Sequence, residues 1–270
     1  MVEDALVDDR VFTRRFGTGP DRAVLLHCAL AHSKVWTRLA EALSDRLCMV
    51  APDMPGHGRS AAPEPGGDMH DQVAAIALEC LGDEGHLIGH SFGATVALRI
   101  AIQAPERVKT VTLIEPVLFA AAGQSAPQVL RDYVEASEEF GAAMDREDWV
   151  AAARDFIGMW GDGRPWDTLS EREQTMFASL MPFIKETEPA LLQDAKGLLR
   201  EGSLEAISSP VLLVRGRDSE PVIAAIHDTL ERRIPAARAV VVDGAGHMVP
   251  ITHPGPVAHH IRALLDAAGH

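Results

Sequence analysis

Short apolar runs rich in Val, Leu and Ile recur along the chain and alternate with longer stretches of helical period. The runs are AVLLHC (23–28), LCMVAPD (47–53), HLIGHS (86–91), VKTVTLIEP (108–116), VLLVRGRD (211–218) and ARAVVVDG (237–244). Between them, 34–44, 69–81, 92–104, 220–233 and 254–267 read as helices, and VFTRRF (11–16) reads as an antiparallel edge strand. This alternation predicts an α/β fold, a mostly parallel central sheet with helices on both faces. Most runs stop at a polar or turn residue: His27, Asp53, Ser91, Glu115, Asp218, and Gly244 just ahead of His247. In an open parallel sheet the carboxyl ends of the strands form the ligand crevice, so these residues are expected to converge on one edge.

The alternation breaks from about 119 to 207, a long stretch of helical character with no convincing strand. It is expected to be a helical cap inserted into a core made of 1–118 and 208–270. Most of the chain's aromatics lie there: Phe119, Tyr133, Phe140, Trp149, Phe156, Trp160, Trp166, Phe177 and Phe183. A small helical subdomain needs bulky residues for its own core. A few of them are also expected to face the crevice and line an apolar pocket. The Pro/Gly-rich AAPEPGGD (61–68) reads as a loop rather than a linker, and no internal repeat is evident.

Composition narrows the partners. A chain of 270 residues, 47% hydrophobic, can bury a full core without help. Lys+Arg 25 against Asp+Glu 39 gives a net charge of −14, and no stretch gathers the basic patch that a phosphate backbone requires, so nucleic acid is not expected as a partner. The segment MVEDALVDDR is acidic with no apolar run behind it, and no span of about 18 apolar residues occurs, so neither secretion nor membrane insertion is expected. Cys28, Cys48 and Cys80 lack CxxC spacing and read as reduced core thiols of a cytoplasmic protein.

The chemistry starts at Gly89-His90-Ser91-Phe92-Gly93, a G-x-S-x-G set directly after an apolar β run and directly before the helical ATVALRIAIQ. Small residues at 89 and 93 let the chain turn from strand to helix so tightly that the serine is pushed up out of the fold. Together with LLHC-A, DMPGHGRS, GRD, GAGHMVP and the following His-Pro, in this order, the chain resembles the α/β-hydrolase superfamily over nearly its whole length. The resemblance implies that Ser91 is the nucleophile, His247 the base and Asp218, after VLLVRGR, the acid. Glu115 is the alternative acid, because it ends VTLIE, a position from which some family members supply the carboxylate; otherwise it would be a polar wall of the pocket. All three groups are needed. A serine hydroxyl is a poor nucleophile until an imidazole takes its proton, and the imidazole needs a carboxylate to fix its tautomer.

The resemblance further implies an oxyanion hole made by the backbone N–H groups of Phe92 and Ala29. The chain has His27-Cys28 where His-Gly is usual, which bears on the Ala29 donor because glycine reaches backbone angles that cysteine resists. Leu30, His32, Phe119, Trp160 and Met248 are the expected pocket residues. His57 and His90 fall at positions that are structural in the family. His70, His86, His227, His253, His259, His260 and His270 read as solvated or helix-end residues, with no metal motif among them. Serine at the nucleophile position disfavours the family's haloalkane dehalogenases and epoxide hydrolases, which use aspartate there. The expectation is a cofactor-free hydrolase of a small to medium, largely apolar carboxylic ester, acting through an acyl-enzyme. Carbon-carbon bond hydrolysis or perhydrolysis by the same triad is the alternative, and a non-catalytic ligand-binding protein on a hydrolase frame is a third.

Overall fold

The computed structural model describes residues 4–6 and 10–270, the first three as backbone only, so the acidic segment read at the N-terminus lies largely outside the described residues. In chain order the elements begin with β1 (Asp4–Leu6), β2 (Phe12–Phe16), β3 (Asp21–Leu26), α1 (Thr37–Leu43), β4 (Leu47–Pro52), α2 (Met69–Leu81), β5 (Gly85–His90), α3 (Phe92–Gln103) and β6 (Val108–Ile114). Next come α4 (Phe119–Ser125), α5 (Pro127–Ala136), α6 (Glu138–Asp145), α7 (Trp149–Trp160), α8 (Glu171–Ser179) and α9 (Met181–Leu192). The chain then returns through β7 (Val211–Gly216), α10 (Pro221–Arg233), β8 (Ala237–Val242), α11 (Val249–Thr252) and α12 (Pro254–Ala267).

The strands form one sheet in the order β1-β2-β4-β3-β5-β6-β7-β8. From β4 to β8 every pairing is parallel, and β1 and β2 add an antiparallel edge. The expected α/β architecture forms; the strand expected at 11–16 is antiparallel, but it is paired on both sides, with β1 and β4, so the edge strand is β1. Period-two alternation sends successive residues of each strand to opposite faces, and both faces are dry. Val24, Leu26, Leu87 and Leu213 pack with α2, α3 and α10 on one side. Ala23, Leu25, Ile88 and Leu212 pack with α1 and α12 on the other. Two buried faces explain why the strands read as unbroken apolar runs.

After β3 the chain steps outward to β4 and then returns to the opposite side of β3 to lay down β5. The reversal opens a crevice at the carboxyl ends of β3 and β5, where a doubly wound sheet takes its ligand. The segment between β6 and β7 holds six α-helices, a short 3-10 turn at Trp166–Thr168 and no strand. The first of them, α4, belongs to the sheet's own apolar layer: Phe119, Ala121 and Ala122 are buried there, and Thr229 Oγ1 of α10 donates to the Ala121 carbonyl at 2.9 Å. The helices beyond it enclose a second cluster, with Ala143, Met144, Ala152, Ala153, Trp166 and Met181 around Leu30 from the loop after β3. Among the described residues no helix is long and apolar enough to cross a membrane.

Candidate active site

Ser91 follows β5 with φ 56° and ψ −118°, a conformation L-residues avoid. The strain, of order 1–3 kcal/mol, is held in place by packing on every side. A Cβ on Gly93 would come within 2.2 Å of the Leu26 carbonyl oxygen, and one on Gly89 within 2.3 Å of the Gly93 carbonyl oxygen. These two glycines let strand and helix approach this closely. The turn leaves the Ser91 hydroxyl in the crevice, with the residue only 7% exposed.

His247, in the turn before α11, places Nε2 3.0 Å from Ser91 Oγ. Its Nδ1 lies 3.1 Å from Oε2 of Glu115, which is fully buried. The acid beside the imidazole is therefore Glu115, and the expectation of Asp218 is corrected. Asp218 is exposed in the turn after β7, its own backbone N–H donating to the Ala245 carbonyl at 2.9 Å. That turn instead supplies donors to Glu115: the Gly216 N–H at 2.7 Å and the Ser219 hydroxyl at 2.6 Å, both onto Oε1. Glu115 also sits at a left-handed φ of 52°, which aims its side chain from the end of β6 back across the sheet edge.

Burial alone would push the Glu115 carboxyl up. The hydrogen bond and charge of His247, then Ser219 and Gly216, overcome it and hold the group below the ordinary glutamate value. An ionised Glu115 accepts from Nδ1–H, so the Nε2 lone pair is the one turned to Ser91. His90, the residue before the serine, donates from Nε2 to the His247 carbonyl at 2.8 Å and steadies the base from below.

The loop after β3 is braced by two further imidazoles. His27 Nε2 accepts the Met54 N–H at 3.0 Å, and His57 Nε2 accepts the Leu30 N–H at 3.3 Å. Desolvation dominates both: His27 is pushed down to about 3, and His57 is lowered as well, so each remains the neutral acceptor its role needs. Asp53 ties the same loop down by accepting the Ser33 N–H at 2.6 Å and the Arg59 N–H at 2.8 Å. The backbone strain of this loop falls on Leu30, at φ 61°, and not on Cys28, so the cysteine in glycine's place is tolerated. Cys28 is buried, and desolvation pushes its thiol up to about 12. Ala29 and Phe92, the two expected oxyanion residues, both border the cavity at Ser91. Phe92 is the first residue of α3, where a helix leaves its N–H groups unclaimed.

The cavity is about 340 Å³ and largely apolar, bounded by Ser91 and His247 below and by α5, α6, α7 and α9 above. Of the residues read as pocket residues, Phe119 and Trp160 line it; Leu30, His32 and Met248 do not border it. Leu30 is turned into the helical cluster, and His32 caps the short turn before α1, its Nδ1 3.4 Å from the Lys34 N–H. Tyr133, Phe140 and Phe156, three of the aromatics noted in the helical segment, join the lining with Ile184, for which the sequence offered no signal beyond its place in that segment. The Trp160 ring meets the His247 imidazole edge-on, with centroids 4.7 Å apart. Of the remaining aromatics, Phe183 packs against Phe92 and His57, at 5.0 and 4.6 Å between centroids. Three of the histidines read as solvated or helix-end residues, His70, His86 and His227, are buried, 1–2% exposed.

A family model described as alpha/beta hydrolase fold matches residues 24–254. The chain is 30% identical over 251 residues to a pimeloyl-[acyl-carrier protein] methyl ester esterase of Nitrosomonas europaea, covering 88% of this chain and 92% of that protein. It is 30% identical over 261 residues to the lipase LipV of Mycobacterium tuberculosis, covering 93% and 96% respectively. Among solved structures, that of a putative lipase from Acinetobacter baumannii AYE superposes with a TM-score of 0.76 at 18% identity, over 100% of this chain and 92% of that one.

Proposed function

The chain belongs to the α/β-hydrolase family, and from that premise we propose that it is a serine esterase in which Ser91, His247 and Glu115 form the catalytic triad. The observation that carries the reading is the relay of contacts from Ser91 Oγ to His247 Nε2 at 3.0 Å and from Nδ1 to Glu115 at 3.1 Å. Ser91 Oγ attacks the ester carbonyl while its proton passes to His247 Nε2, and Glu115 stabilises the imidazolium so formed. The N–H groups of Phe92 and Ala29 receive the oxyanion. His247 then protonates the departing alcohol, and a water deprotonated by the same imidazole releases the acid from the acyl-enzyme.

The substrate is a small to medium, largely apolar carboxylic ester, in keeping with a cavity walled by aromatic and aliphatic side chains. The names of two relatives, a methyl ester esterase and a lipase, support the ester bond as target. The helical segment between β6 and β7 acts as a cap over the cavity, and its aromatics set the acyl-chain preference. A panel of p-nitrophenyl esters of increasing chain length tests this. Turnover should peak at a short or medium acyl chain and disappear in Ser91→Ala. Absence of turnover with every ester, or turnover that survives the substitution, would refute it.

A further inference from the structure

At the end of the sheet opposite the active site, Asp21, His86 and His270 bring one ligand atom each to within 4.8 Å of one another. Each is fixed by its element. Asp21 opens β3, and His86 is the second residue of β5, next to it in the sheet. His270 follows α12 in a Schellman cap: its N–H donates to the Leu265 carbonyl at 3.0 Å and the Gly269 N–H to the Asp266 carbonyl at 3.2 Å, with Gly269 at φ 79°. The Arg46 guanidinium holds the His270 carbonyl. The His270 side chain therefore stands where its backbone is locked, its Nδ1 3.7 Å from Asp21 Oδ1 and its ring 5.0 Å from that of His86.

His86 supplies the second observation. It is 1% exposed, its Nδ1 is bonded to Thr110 Oγ1 at 2.8 Å, and its Nε2 has no hydrogen-bond partner among the described residues. A buried ring nitrogen left unpaired costs free energy. Orienting one imidazole nitrogen through a hydroxyl while the other stays open is how proteins prepare a metal-ligating histidine. We propose that Asp21, His86 and His270 bind a borderline divalent cation such as Zn²⁺, with water completing the coordination. Two imidazoles and one carboxylate suit zinc or nickel and not calcium or magnesium, which take oxygen ligands. Lys109 Nζ, now 2.9 Å from Asp21 Oδ1 and 3.4 Å from Glu84 Oε1, shifts onto Glu84 as the cation arrives. The site is structural: it pins the end of α12 to the amino ends of β3 and β5, away from the crevice.

The test is calorimetry and thermal melting of EDTA-stripped, tag-free protein titrated with zinc chloride. One zinc per chain should bind, Tm should rise with zinc as for any ligand confined to the folded state, and calcium should do neither. His270→Ala and Asp21→Asn should each weaken binding by about tenfold or more while leaving the zinc-free melt within a few degrees of the parent. The double variant His259→Ala/His260→Ala, at an exposed and a half-buried position of α12, should bind like the parent. No binding at millimolar zinc overturns the proposal, as does binding that survives both single variants or is lost in the double variant.

Discussion

Replacing Glu115 by Gln separates the two acids that the sequence offers. The amide keeps one oxygen, which can still accept from the Gly216 N–H and the Ser219 hydroxyl, so the buried pocket stays satisfied and the fold should hold. The NH₂ then faces His247 Nδ1, which has to become an acceptor, and the ring proton moves to Nε2, opposite Ser91. The base is blocked, and the carboxylate that would stabilise the imidazolium in the transition state is gone. A loss of about 10³–10⁴-fold in kcat/KM is expected, roughly 4–5.5 kcal/mol of transition-state stabilisation. Asp218→Asn, at an exposed turn, should change the rate by less than about twofold, within the ±0.5 kcal/mol of ordinary surface substitutions. Steady-state hydrolysis of a p-nitrophenyl ester by both variants, with melting curves to verify folding, is the assay. A crippled Asp218→Asn, or a folded Glu115→Gln that retains a tenth of the parent rate, would rule out Glu115 as the orienting acid.

Other outcomes follow from the same geometry. Gly93→Ala would put a methyl 2.2 Å from the Leu26 carbonyl oxygen and 2.7 Å from that of His27, both backbone atoms, so it should cost several kcal/mol or prevent folding, read by urea titration. Acid stability should be steep. Desolvation pushes His27 and His90 down to about 3, and His70 and His227 down to about 4, so between these values and about 6.5 the unfolded chain binds protons that the folded one refuses. Stability is therefore complete above about pH 6.5 and lost as pH falls, by about 1.4 kcal/mol per pH unit for each histidine. Melting curves from pH 7 to 4 measure it, and a Tm that stays flat to pH 5 would show that these rings are not held neutral.

The sheet and the serine elbow were legible because each leaves a local pattern: apolar runs for strands buried on both faces, small residues at 89 and 93 for a tight turn. The acid was not, because the choice between Glu115 and Asp218 depends on sheet order. β6 lies directly beside β5, so the longer glutamate side chain at its end reaches the imidazole, whereas the turn after β7 is one strand further away. Chain order puts both acids between nucleophile and histidine, and the local context Gly-Arg-Asp points to Asp218. The signal that was present is the glutamate closing VTLIE, a charged residue at the carboxyl end of a fully buried strand. The burial of His86 eluded the pattern for a related reason. In a strand with two dry faces, period two does not tell a solvated position from a core one, and His86 finds its partner, Thr110, only across the sheet. Asp21, His86 and His270 are likewise joined by the fold alone, since no motif spacing connects them. Pocket residues on α5, α6 and α7 depended on how the helices rotate over the crevice, which aromatic content does not specify.

Activation of the Ser91 hydroxyl by His247 can be read out by reacting the protein with a fluorophosphonate and weighing the intact product. A single phosphonyl adduct per chain, mapped to the peptide carrying Ser91 and abolished in Ser91→Ala and His247→Ala, is the predicted result. A folded protein that remains unlabelled, or one whose adduct lies on another residue, would contradict the claim.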